Sequence, residues 1–157
     1  MPTYHISFWN VENLFDVNRS PRRTEKLERV VGKELTGWTQ SVLDKKIAQL
    51  ASIIRQVNNG KGPDLLGVCE VENEHVLKLL AKALKPLGRT YEIVHADTND
   101  ERGIDVAFLY DGTLFKAEKS FSHFIVKRTA TRDIVQVNFR TAKGRLFVAV
   151  GNHWPAR

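Results

Sequence analysis

One cysteine, Cys69, stands among the 157 residues. A lone thiol excludes an internal disulfide framework and any zinc site built on cysteine. Long apolar runs are missing as well: none approaches the roughly 18 residues of a membrane-spanning helix. The opening Met1-Pro2-Thr3-Tyr4-His5 carries neither a basic stretch nor an apolar one, so no secretory signal is visible. There is no internal repeat and no low-complexity tract. Polar runs are short and 42% of the residues are hydrophobic, too many for a disordered chain. At roughly 100–200 residues per domain, residues 1–157 form one domain. A chain this long buries about 68–70% of its unfolded surface, enough for a real core. The expectation is a cytoplasmic protein, although a mature secreted form would read the same way.

What the chain has in excess is positive charge, and it is unevenly placed. Residues 1–115 hold 15 Lys and Arg against 16 Asp and Glu; residues 116–157 hold 9 against 2. The whole +6 therefore belongs to the last quarter of the chain. Such a patch attracts phosphates through Coulomb attraction and counterion release. A solvated basic face that keeps the protein soluble explains it equally well.

Hydrophobic periodicity predicts a β-α-β-α-β-β-β-β-β order. Tyr4–Trp9 alternates and is aromatic, which suits a strand. Residues 10–40 read as a long polar loop with one helical turn near Lys26–Val31; loops of that length are often functional. Thr39 or Ser41 caps a helix with Val42, Leu43, Ile47, Leu50, Ile53, Ile54 and Val57 at helical spacing, ended by Asn58-Asn59-Gly60. Asp64–Cys69 is a continuous apolar run, as expected of a strand buried on both faces. Asn73 caps a second helix with Val76, Leu77, Leu80 and Leu84 on one side. Tyr91–His95 and Ile104–Tyr110 read as strands flanking a polar loop. Phe115–Val126, Asp133–Thr141 and Arg145–Gly151 read as antiparallel strands. The pattern argues for an α/β sandwich: a mixed sheet, mostly antiparallel, with two helices on one face.

Polar residues stand where strands end, which is where ligands bind in open α/β sheets. Asn10 follows the first strand, Glu70 the second, Asp105 opens the fourth, and Asn152-His153 follows the last. Each has a plain structural reading. Asn10 suits a turn, Glu70 a first-turn carboxylate of the second helix, and His153 an ordinary surface histidine. Cys69 should point away from Glu70 and pack as a small buried hydrophobe. Glu70 and Asn10 are oxygen donors of the kind Mg²⁺ prefers, with substrate phosphate and water completing its shell.

Four stretches in order resemble the endonuclease/exonuclease/phosphatase superfamily of Mg²⁺-dependent phosphodiesterases. They are Phe8-Trp9-Asn10-Val11-Glu12-Asn13-Leu14-Phe15-Asp16, Leu66-Gly67-Val68-Cys69-Glu70-Val71-Glu72-Asn73, Arg102–Tyr110, and Asn152-His153-Trp154-Pro155. The resemblance implies Glu70 as ligand of Mg²⁺, with Mn²⁺ as a substitute. It implies that Asn10 binds the metal region or orients the catalytic groups. His153 would bond the scissile phosphate and stabilise its developing charge, with Asp105 orienting it. Arg102 and Asn152 would contact the substrate.

The resemblance also implies a longer chain. Family members carry a Gly-Asp-Phe-Asn motif and a terminal Ser-Asp-His motif in a second half, and neither occurs here. The expectation is half of a four-layer α/β/β/α sandwich: one sheet with its helices, its inner face bare. That face would need a second copy or the missing half. Two functions follow: a truncated phosphodiester hydrolase of nuclease type, or a non-catalytic module binding nucleic acid or other anions through Lys116–Arg145. Nothing in the residues selects among DNA, RNA, inositol phosphate and lipid substrates.

Overall fold

The structure, a computed structural model, describes residues 3–95, 105–123 and 134–154. Its elements follow in the order β1 (Ile6–Leu14), α1 (Glu25–Val31), α2 (Gln40–Gln56), β2 (Leu65–Val71), α3 (Glu74–Ala83), β3 (Tyr91–His95), β4 (Asp105–Asp111), β5 (Phe115–His123), β6 (Ile134–Thr141) and β7 (Leu146–Gly151). The first four strands make one sheet in the order β1-β2-β4-β3, with β1 parallel to β2 and the other pairs antiparallel. The last three make a separate antiparallel sheet, β5-β6-β7.

The helices form because their ends and faces agree. Thr39 accepts a bond from Val42 N–H and opens α2, which buries Leu43, Ile47, Leu50, Ala51 and Ile54. Asn73 does the same for α3 through Val76 N–H, and Val76, Leu77 and Leu80 are buried. Both helices lie on one side of the first sheet, against Val11, Leu14, Leu66, Val68, Val71, Ala107 and Leu109. The short α1 belongs to a satellite cluster of Phe15, Leu27, Val31 and Leu35 with Trp38 against it. Left-handed Asn58, Asn59 and Gly60 reverse the chain after α2.

The sandwich expectation holds, but the inner face is not bare. Leu65, Cys69, Val106, Phe108 and Tyr110 of the first sheet pack against Phe115, Val135, Val137, Phe139 and Ala149 of the second. The reason is visible in β2 and β4. All seven residues of β4 are buried, and so are all of β2 except Glu70. Helices cover only one of their faces, so another layer must cover the other. The antiparallel hairpins after Asp111 supply it, leaving three layers, α/β/β.

Phe139 centres that interface. It is fully buried and meets the rings of Phe108, Tyr110 and Phe115 at centroid distances of 6.3, 5.1 and 5.9 Å. Replacing it with alanine removes the shared partner of three rings. Phe139→Ala should destabilise the fold by about 3–5 kcal/mol, read from urea denaturation. A loss below 1 kcal/mol would mean that the two sheets do not depend on each other.

Candidate functional site

Strand alternation fails at the same level in β1 and β2, and the site is built on that failure. Val11 and then Leu14 face the helices in β1; Val68 and then Val71 do so in β2. Each strand thus holds extra residues, and the pairing register shifts between Asn10 and Leu14 and between Cys69 and Val71. The extra residues adopt left-handed backbone: Glu12 at φ 54°, Asn13 at φ 60° and Glu70 at φ 66°. Residues without a glycine's freedom cost of order 1–3 kcal/mol each in sparsely populated conformations, and such strain gathers at functional sites. Local bonds hold the geometry. Asn10 Oδ1 accepts from Glu12 N–H at 2.9 Å, and Glu70 Oε2 accepts from Asn13 N–H at 3.1 Å.

The bulge turns the Glu70 carboxylate toward the second sheet. There the chain leaving β7 brings His153 Nε2 to 3.0 Å from Glu70 Oε1, the two side chains being 11% and 16% exposed. Asn10 Nδ2 lies 3.4 Å from the same nitrogen. The bond between Asn10 Oδ1 and Glu12 fixes which way the amide faces. Asn10 Nδ2 can donate to Nε2 only while that nitrogen carries no proton, and Nε2 can donate to Glu70 only while it does, so the two contacts answer to different protonation states of one ring.

Asn10, Glu70 and His153 are thus brought together, and Asn13 joins them. Asn73, not Glu70, caps α3. Asp105 goes elsewhere: its carboxylate lies 3.2 Å from His95 Nε2, both side chains being buried. The expected Asp105–His153 pairing therefore gives way to an Asp105–His95 pair, because β4 begins opposite Val71 while β3 ends at His95. Asn152 is half-buried beside His153. Arg102 lies outside the described residues. Trp9 packs on the helix-side core, Trp38 stands edge-on to Phe15, and Trp154 is exposed.

The basic excess is not gathered at this site among the described residues. Lys116, Arg140, Lys143 and Arg145 lie at the β6–β7 turn end of the second sheet, where Arg140 pairs with Leu146; Gly151 and His153 mark the other end. Arg140 is bonded to Glu118 at 3.0 and 3.1 Å.

A second polar cluster, not foreseen from sequence, fastens the loop after β1. Arg23 makes a two-pronged contact with Glu72, Nε to Oε1 at 2.9 Å and Nη2 to Oε2 at 2.7 Å; both side chains are 1% exposed. Arg23 Nη2 also donates to the Asp16 carbonyl, and Asp16 N–H donates to Glu72 Oε2. Burial pushes the Asp16 carboxyl up, but hydrogen bonds from Ser20 and from Val17 N–H outweigh it and hold the group below its ordinary value. Trp38 Nε1 closes the far end of the loop onto the Phe15 carbonyl.

The model of the Endonuclease/Exonuclease/phosphatase family matches residues 5–157. The chain belongs to the endonuclease/exonuclease/phosphatase family. Solved structures agree on the fold. A family protein from Bacteroides thetaiotaomicron is 17% identical with a TM-score of 0.54, over 96% of this chain and 51% of that one. Truncated TDP2 from Caenorhabditis elegans is 16% identical with a TM-score of 0.55, over 98% and 47%. A mannosyl-6-phosphatase from Bacteroides thetaiotaomicron is 16% identical with a TM-score of 0.55, over 94% and 50%. The chain thus spans about half the length of these structures. No curated protein matches it.

Enzymes of this family generally use a divalent metal. Among the described residues no group of three or more His, Cys, Asp and Glu converges. The oxygen donor at this point is the Glu70 carboxylate; Asn10 turns its N–H side toward His153 and its oxygen toward Glu12 N–H. A single carboxylate suits Mg²⁺, which keeps water and takes phosphate oxygens; it does not suit Zn²⁺. Glu70 Oε2 accepts one described hydrogen bond and Oε1 has one described contact, with His153, which leaves lone pairs for a cation.

Cys69 sits beside this site yet takes no part in it. It is buried between the sheets, and burial, with the Glu70 charge adding to it, pushes its thiol up to about 11. Raised above its unfolded value, the thiol favours the fold while protonated. That contribution is complete below about pH 9 and lost as pH rises through about 11. Native protein should resist iodoacetamide at pH 8 and react once unfolded in urea. Equal rates in both states would show an open thiol.

Proposed function

We propose that this chain is a Mg²⁺-dependent phosphodiester hydrolase domain of nuclease type, working only when the rest of its fold is supplied. The observation that carries the reading is the convergence of Asn10, Glu70 and His153 at strained strand ends in a chain of this family. Glu70, with Asn10 beside it, would hold Mg²⁺, which would polarise a phosphoryl oxygen. The residues themselves account for binding and charge. Glu70 and Asn10 both stand against His153 Nε2 and would hold the ring in place, a charged ring on the carboxylate and a neutral one on the amide N–H. Donors held in place this way stabilise charge as it develops on a phosphate, without rearranging during reaction.

The need for more chain rests on two edge strands. β1 ends one sheet and β7 the other, and their residues approach each other: a Cβ on Gly151 would stand 3.3 Å from the Phe8 ring. Ile6 and Phe8 on β1, and Leu146, Val148 and Val150 on β7, are large, apolar and exposed. Apolar edges of this kind are templates for added strands. The occupant that fits is the other half of the fold, since the solved structures are about twice as long. Glu70 and His153 lie at this rim, where added chain would contribute further groups.

The alternative is a non-catalytic module that binds anions through its basic last quarter. It draws on Lys116, Lys119, Lys143 and Arg145, which lie on the second sheet and in its β6–β7 turn.

The deciding experiment is hydrolysis of DNA, RNA and bis(p-nitrophenyl) phosphate by the completed protein. Activity should require Mg²⁺, disappear on Glu70→Gln, and fall by roughly 10²–10³ on His153→Ala. Full activity in Glu70→Gln would end the enzymatic reading as stated. Oligonucleotide binding that persists in Glu70→Gln, weakens steeply with salt and brings no hydrolysis would establish the module. A monomer in light scattering that binds no apolar dye would end the claim that the edges need cover.

A further inference from the structure

The motif Glu70-Val71-Glu72 holds two carboxylates, and only the first faces the site. We propose that the second, with Arg23, is a positioning device: a buried clamp that holds the bulged backbone in the shape that presents Glu70. The proposal rests on the reading of Glu70 as the metal-binding group and deepens it.

The geometry supports a clamp rather than an incidental ion pair. β1 and β2 stop pairing regularly at Asn10 and Cys69, where their left-handed residues begin. Beyond the bulge the two chains are rejoined at one place. Glu72 N–H donates to the Leu14 carbonyl at 3.0 Å, and Asp16 N–H donates to Glu72 Oε2 at 2.7 Å. Arg23 then spans both strand ends, through the Glu72 carboxylate and the Asp16 carbonyl. The stretch between the fixed points contains Glu12, Asn13 and Glu70. Strained backbone of this kind persists only when its surroundings over-determine it. The regular ladder below the bulge holds one side; the Arg23–Glu72–Asp16 bonds hold the other.

Burial separates this pair from the surface pairs of the molecule. Arg29–Glu25 and Lys78–Glu74 are exposed and joined by single contacts. Arg23 and Glu72 are withdrawn from water, and two parallel N–H···O bonds fix their relative orientation as well as their distance. A guanidinium is required for this; an ammonium would make one bond and leave the Asp16 carbonyl.

The test uses the full chain with Arg23→Met and Glu72→Gln together. The double change removes both buried charges at once, which avoids a stranded one. It keeps an acceptor for Asp16 N–H. Two readouts are compared with wild type: amide exchange at each residue, and Mn²⁺ affinity by electron paramagnetic resonance. The expected result is exchange at Asn13, whose N–H bonds Glu70, faster by about tenfold, with α2 and α3 unchanged, and Mn²⁺ binding weaker by a similar factor. Exchange that rises equally in the helices would show a merely structural pair and overturn the proposal. So would wild-type exchange at Asn13 in the double variant. If the completed wild-type protein takes no Mn²⁺, the metal reading of Glu70 fails, and exchange at Asn13 still decides the clamp. Arg23→Lys with Glu72 intact should give the same local loosening, and wild-type behaviour in it would also count against the clamp.

Discussion

Two adjacent strands buried on both faces, β2 and β4, constrain everything else in this molecule. Helices reach only one side of them. The other side must be covered by chain that comes later, and β5–β7 do so through Phe139 and its neighbours. That covering sheet runs out beside the end of β2, so His153 emerges next to Glu70. Asn10 and His153, 143 residues apart, meet for the same reason. The packing of the two sheets is therefore also what assembles the site. A local error in that packing would change the distance between Glu70 and His153 before it changed either residue's own strand.

The sequence announced much of this. Asn73 caps as expected, and of the two candidates Thr39 and Ser41 it is Thr39 that caps, because such side chains have one strong local use. The second sheet was also legible in principle. A run such as Leu65–Cys69 demands cover on two faces, while the helices offered only one. The alternation of Val135, Val137 and Phe139 showed a strand with one buried face looking for a partner. What hid the answer was the resemblance to a longer fold, which suggested that the cover would come from chain beyond residue 157. The direction of Glu70 was not legible at all. Alternation sends it away from the second sheet; a left-handed backbone at a non-glycine residue sends it back. Nothing in Cys69-Glu70-Val71 signals that, because the strain is set by bonds from Asn13 and Asp16. The partner of Asp105 was missed for a related reason. It depends on where β3 stops, and His95 had no feature marking it other than its place at a strand end.

The basic surplus illustrates how composition and geometry separate. By count it belongs to the last quarter of the chain, the same quarter that supplies His153. In space Lys116, Arg140, Lys143 and Arg145 occupy the far end of the second sheet and Lys119 lies midway along β5; Arg140 is already paired. The inner face of that sheet is apolar, so its charges can point only outward or into turns. Among the described residues, charge and site share a sheet without sharing an end.

The site region itself mixes two kinds of polar group that differ in their relation to water. Glu70 and His153 remain partly exposed and meet at a single contact. Glu72 and Arg23 are sealed and joined doubly. A carboxylate proposed to take a cation cannot also be saturated by a guanidinium, since the cation and the guanidinium compete for the same lone pairs. A strained strand end cannot be held by a group that is only loosely satisfied. Two carboxylates separated by one valine meet both demands because the bulge turns them in different directions. The strain at Glu70 is thus the geometric condition that lets one short motif serve the site with its first acid and the scaffold with its second.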